Sequence, residues 1–95
     1  MPASIAIVVG SKGRGSNMAA LLTAIALRPE LARVECIVTP RSGTPAAERA
    51  REAGLEVRIA PTPADLLPAL HGSDVVLLAG YALLVPSACV RAFAG

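Results

Sequence analysis

The sequence predicts an α/β fold built on a parallel sheet of four strands, in the order 3-2-1-4, with helices on both faces. Three observations carry that prediction. Short, predominantly apolar runs recur at Ile5–Val9, Val34–Val38, Leu55–Ile59 and Val75–Ala79, and they have the length of strands buried on both faces. Stretches suited to helices separate them, and regular alternation of strand and helix closes into a parallel sheet. A glycine-rich stretch, Gly10-Ser11-Lys12-Gly13-Arg14-Gly15-Ser16-Asn17, follows the first run directly, where such sheets turn from strand into helix.

Taken in order, Ile5–Val9 is strand one. Ser16–Leu27 is helix one, ended by Arg28-Pro29, since the residue before a proline is pushed out of helical geometry. Val34–Val38 is strand two, and Pro40–Thr44 is a loop rich in Pro, Ser, Gly and Thr. Pro45 suits the first turn of helix two, which runs to about Ala53. Gly54 is a good residue to terminate it in a left-handed conformation. Leu55–Ile59 is strand three. Ala60-Pro61-Thr62-Pro63 breaks the chain, and Ala64–His71 is a short helix that Pro68 keeps brief or kinked. Val75–Ala79 is strand four, Gly80-Tyr81 the turn after it, and Pro86 opens a last helix reaching about Phe93.

Right-handed crossovers leave few topologies for these units, and 3-2-1-4 is the natural order of a Rossmann-like half. Strands one and four then lie side by side and the winding reverses between them. Ligands bind outside the carboxyl ends of strands at such a switch point. The loops meeting there are Gly10–Asn17 and Gly80–Val85.

Composition excludes several classes. The chain is 54% hydrophobic and only 17% charged, against roughly 25% charged in typical soluble domains. A net charge of +2, with nine scattered basic residues and a single Tyr and Phe, offers no footprint for nucleic acid. No apolar run approaches the roughly 18 residues that span a bilayer. The first residues show no basic segment followed by an apolar one, so no signal peptide is expected. Cys36 and Cys89 match no metal or redox spacing and are read as small buried hydrophobes in a reducing cytoplasm.

The glycine loop admits three phosphate-binding readings. A nucleotide P-loop needs Gly-x4-Gly-Lys-Ser/Thr, and Ser16 stands where the lysine must be. A dinucleotide fingerprint needs a third small residue, and Met18 occupies that position. Glu35, the nearest match to the acidic residue such sites use, falls within strand two rather than at its end. The third reading is a single phosphate monoester. It would be ringed by the Ser16 hydroxyl, the Asn17 amide and the N–H groups of Gly15 to Asn17, at the positive end of helix one. Ser16 or Asn17 could instead simply cap that helix. The two roles are compatible.

Gly13-Arg14-Gly15-Ser16-Asn17-Met18-Ala19-Ala20-Leu21 resembles the start of the phosphoribosylglycinamide formyltransferases, the glycinamide ribonucleotide transformylases of purine biosynthesis. Three further strings extend the resemblance in the right order: Val38-Thr39-Pro40-Arg41-Ser42-Gly43, Ala47–Leu55, and Asp74–Tyr81. The resemblance implies one domain, residues 1–95, corresponding to the amino-terminal, phosphate-binding part of that family. It implies that Gly13, Gly15, Ser16 and Asn17 hold the phosphate of glycinamide ribonucleotide. It implies that the backbone of Tyr81, Ala82, Leu83, Leu84 and Val85 holds the pterin of the co-substrate 10-formyltetrahydrofolate. It also implies a cytoplasmic enzyme that uses no metal.

Three departures from the family pattern stand out. The catalytic residues of the family, an asparagine and a histidine in an Asn-x-His-Pro-Ser stretch and a later aspartate, are not among these 95 residues. His71, at the end of the third helix, is no substitute, so no catalytic residue is assigned and the chain is expected to be inactive alone. The segment Pro61–Gly72 is shorter than the family's third helix, and no arginine lies between Arg58 and Arg91 to help hold the phosphate. The pterin loop carries Ala82-Leu83 where members often have Met-Arg or Met-Lys. The alternative is a phospholigand-binding module without chemistry, or an inactive remnant.

Overall fold

The computed structural model describes residues 2–10 and 15–79. Its elements are β1 (Ala3–Val9), α1 (Ser16–Ala26), β2 (Ala32–Thr39), α2 (Pro45–Glu52), β3 (Val57–Ile59), a 3-10 turn (Pro63–Asp65), α3 (Leu66–Ala69) and β4 (Val75–Ala79). The strands form one sheet in the order β3-β2-β1-β4, every pair parallel. This is the predicted Rossmann-like arrangement. The last predicted helix, Pro86–Phe93, the turn Gly80-Tyr81 and Cys89 lie outside the described residues.

β1 is the central strand, and its residues alternate between two cores. Ile5, Ile7 and Val9 face one side with Met18 of α1, Ala46 and Ala50 of α2, Ile37 and Ala79. Ala6 and Val8 face the other with Cys36, Val38, Ala60, Leu66 and Leu70. The division follows from handedness. The crossovers β1-α1-β2 and β2-α2-β3 step in one direction across the sheet, so their right-handed helices share a face. The crossover from β3 to β4 steps back the other way, which puts α3 on the opposite face. Apolar side chains on both sides of β1 are the reason its sequence lacks polar alternation.

Helix ends follow local chemistry. Thr44 caps α2 through its Oγ1, which accepts from the Ala47 N–H at 3.2 Å, and Pro45 sits in the first turn. At the other end Gly54 adopts φ 77°. The Gly54 N–H reaches the Arg51 carbonyl at 3.0 Å and the Leu55 N–H reaches that of Ala50 at 3.0 Å. These paired bonds are a Schellman closure, and they confirm the glycine stop.

Several elements differ from expectation: β1 begins at Ala3 rather than Ile5, and β2 spans Ala32–Thr39 rather than Val34–Val38. α1 ends at Ala26, with Leu27 as its cap. β3 begins at Val57 rather than Leu55, because Leu55 is taken up in closing α2. The third helix is not continuous over Ala64–His71. It opens as a 3-10 turn in which the Asp65 carboxylate accepts from the Thr62 N–H at 3.0 Å and hydroxyl at 2.7 Å. α3 then spans four residues. Pro68 is tolerated because it falls in the first turn of α3, where its missing N–H would have no partner within the helix.

Candidate phosphate-binding end of helix one

The β1–β4 register pairs Ile5 with Val75 and Val9 with Ala79. The carboxyl ends of these neighbouring strands are therefore level. The chain leaves both at the same edge, and the direction of winding reverses between them. That is the switch point expected from the sequence.

Gly15 forms the turn into α1. Its φ is 83° and ψ 15°, a left-handed conformation, and it occupies the N-cap position. A Cβ there would lie 3.3 Å from Ala46 Cα and 3.2 Å from Arg49 Cδ. Two independent constraints thus call for glycine: the backbone angle, and the approach of α2 onto the turn. The Gly15 carbonyl accepts the first helical bond, from the Ala19 N–H at 2.8 Å.

Ser16 and Asn17 are the first two residues of α1 rather than its cap. The capping alternative is thereby corrected: Gly15 caps the helix, and it has no side chain to offer. Ser16 and Asn17 are exposed, whereas Met18 is buried at 1% and anchors the first turn in the core. Among the described residues neither the Ser16 hydroxyl nor the Asn17 amide has a hydrogen-bond partner. The N–H groups at this end have no partner within the helix either. No acidic side chain lies in the first turn to offset the helix dipole. The arrangement leaves free donors at the positive end of the helix dipole, which is suited to an anion.

The loop after β2 braces this end. Thr39 Oγ1 donates to the Arg41 carbonyl at 2.9 Å and meets Thr44 Oγ1 at 3.1 Å, with both threonines buried. This pair ties the end of β2 to the cap of α2, and so holds Ala46 and Arg49 against Gly15.

A second group of charged residues gathers around Glu35. A register irregularity between Ile5 and Ala6 makes Glu35 an extra residue in β2. Its carboxylate pairs with Arg33 at 2.9 Å and with Arg58 at 3.4 Å. That occupation agrees with the rejection of Glu35 as a ribose-binding acid. Arg58 also bonds the Ala69 carbonyl at 3.0 Å, the His71 carbonyl and Glu56. The Glu56 carboxylate raises its pKa above the ordinary arginine value, so it is a fixed cation closing off α3. His71 is exposed near this group, away from α1's amino terminus. Cys36 is fully buried, and burial pushes its thiol pKa up, the reverse of what a nucleophile needs.

Of the site residues read from sequence, Gly15, Ser16 and Asn17 come together as described. Gly13 and the pterin-loop residues Tyr81, Ala82, Leu83, Leu84 and Val85 lie outside the described residues. Among the described residues no group of three or more His, Cys, Asp or Glu could hold a metal ion. No helix among them is long and apolar enough to cross a membrane.

No protein-family model and no curated protein matches the chain. Solved structures do. A glycinamide ribonucleotide transformylase from Symbiobacterium toebii is 29% identical with a TM-score of 0.83, over 98% of this chain and 48% of that one. One from Geobacillus kaustophilus is 27% identical with a TM-score of 0.80, over 100% of this chain and 55% of that one. The phosphoribosylglycinamide formyltransferase of Brucella melitensis has the same fold, with a TM-score of 0.84 at 22% identity over 100% of this chain and 54% of that one. The chain spans about half the length of the solved structures it matches. The resemblance that the Gly-Ser-Asn loop suggested is therefore borne out: the chain is similar, over 95–100% of its length, to the amino-terminal part of the phosphoribosylglycinamide formyltransferases.

Proposed function

We propose that this chain is the substrate-binding amino-terminal portion of a folate-dependent formyltransferase. The whole enzyme would transfer a formyl group from 10-formyltetrahydrofolate to glycinamide ribonucleotide in purine biosynthesis, in the cytoplasm. One observation carries the reading. Behind the glycine turn at Gly15, the side chains of Ser16 and Asn17 stand exposed and unpartnered among the described residues, at an N-terminus with no acidic residue in its first turn. Donors so placed fit a phosphate monoester. The likeness to glycinamide ribonucleotide transformylases supports the choice of ester.

In such a reaction the glycinamide amine attacks the formyl carbon of the folate donor. The part of this chain is to fix the ribonucleotide by its phosphate. Tyr81 to Val85, following β4, would offer backbone groups to the pterin. The two loops leave neighbouring strands at one edge, which would bring acceptor and donor within reacting distance. The asparagine, histidine and aspartate that the family uses for proton transfer and oxyanion stabilisation are not in these 95 residues. The chain by itself would therefore bind without turnover.

Calorimetric titration with glycinamide ribonucleotide tests the reading. Saturable binding, reduced about tenfold or more in Ser16→Ala by loss of a bond to a charged group, is expected. The brevity of α3 favours a second reading, a phospholigand module without chemistry. Equal affinity for unrelated phosphate monoesters would select it.

A further inference from the structure

We propose that Arg49 supplies the side-chain cation of the phosphate site, in place of the arginine missing from the shortened third helix. The inference rests on the function proposed above and adds a residue to it. Arg49 is on α2, and Ala46 and Ala50 of the same helix face are buried against the sheet. Through Ala46 this face comes into contact range of the turn at Gly15. The Arg49 Cδ reaches the same turn, 3.2 Å from where a Gly15 Cβ would stand. The aliphatic stem thus packs against the glycine turn, and the guanidinium begins one atom farther on. A side chain at position 15 would push the stem away.

Of the other arginines among the described residues, all but Arg41 pair with a carboxylate. Arg28 pairs with Glu30, Arg33 with Glu35, Arg51 with Glu48 and the Ser42 carbonyl, and Arg58 with Glu35 and Glu56. Among the described residues the guanidinium of Arg49 has neither a carboxylate nor a carbonyl partner. Glu48 precedes it in sequence and is bound to Arg51 at 3.0 Å instead. A guanidinium offers a planar fork that matches two phosphate oxygens at once. The N–H groups and the Ser16 and Asn17 side chains would then hold one side of the phosphate and Arg49 another. The buried Thr39–Thr44 pair, by fixing the start of α2, sets where that fork stands.

The test compares the 95-residue chain with Arg49→Met, which keeps an apolar stem over Gly15 but removes the charge, and with Arg49→Lys. Each is titrated with glycinamide ribonucleotide and with the phosphate-free ribonucleoside. Far-ultraviolet circular dichroism and the urea midpoint confirm that each variant is folded. Arg49→Met is expected to weaken ribonucleotide binding about 10- to 100-fold, with any ribonucleoside binding unchanged and Arg49→Lys intermediate. Wild-type affinity for the ribonucleotide in a folded Arg49→Met would overturn the assignment of Arg49 and leave the proposed function standing. So would an equal loss for both ligands, since the effect would then not involve the phosphate. No binding by the wild-type chain would overturn both.

Discussion

Ser4 and Asp74 hold each other through two hydrogen bonds. The Ser4 N–H donates to Asp74 Oδ2 at 3.0 Å, and the Asp74 N–H donates to the Ser4 carbonyl at 2.7 Å. Ser4 is in β1 and Asp74 immediately precedes β4, so the pair locks the amino ends of the two strands that flank the switch point. Since register runs unbroken from Ile5–Val75 to Val9–Ala79, a clamp at one edge sets the level of the two loops at the other. Asp74→Ala leaves the Ser4 N–H without its partner in a buried setting and should cost about 1–3 kcal/mol, read as a lowered urea midpoint. An unchanged midpoint would show that the strands hold their register without the clamp.

Gly15 and Gly54 both have positive φ, but only Gly15 is crowded. Gly54→Ala meets nothing within 4 Å, so its cost should be conformational alone, about 1–2 kcal/mol, with phosphate binding retained. Gly15→Ala adds a contact at 3.3 Å with the α2 backbone. It should cost more than Gly54→Ala and also abolish ribonucleotide binding. Paired denaturation and binding curves on the two variants separate the effects, and similar binding by both would argue against a close-packed turn at Gly15.

Cys36 makes stability depend on alkaline pH. Its folded pKa is raised above the ordinary 9.0 because burial disfavours the thiolate. Above that ordinary value the unfolded chain loses the proton first, so the folded state binds more protons and stability falls as pH rises. Below it the contribution is fully present. The urea midpoint should decline from about pH 9 upward in the native protein, and less steeply in Cys36→Ala. Thiol reagents should modify Cys36 only as fast as the fold opens, and immediate labelling would contradict its burial.

Formyl transfer requires proton handling that the described residues do not provide. His71 stands near the amino edge, the Cys36 thiol is suppressed by burial, and Glu35 is committed to Arg33 and Arg58. The 95-residue chain mixed with 10-formyltetrahydrofolate and glycinamide ribonucleotide should give no formylated product, as followed by absorbance of the released folate. Turnover would contradict the division of labour proposed for this half.

The sheet order was legible because each crossover carries its own local marker, such as Gly54 after α2 or Pro63 before α3. The level ends of β1 and β4 followed from that order. The cap of α1 was less legible. Ser16 and Asn17 are both favoured caps by residue type, and only the backbone angle at Gly15 reveals that the glycine takes the position. The same limit hid Arg49, which is distant in sequence from Gly15 and meets it through the approach of α2 to the turn. The extra residue at Glu35 was hidden too, since a register irregularity leaves no mark in a run such as Val34–Val38.

The proposed function places the phosphate of glycinamide ribonucleotide at the amino-terminal end of α1. The most direct test is amide NMR of the 95-residue protein during titration with that ligand, with Ser16→Ala as control. Saturable shifts centred on Gly15, Ser16, Asn17 and Met18, weakened in the variant, are expected. A folded protein whose amides at these positions stay unmoved at millimolar ligand would contradict it.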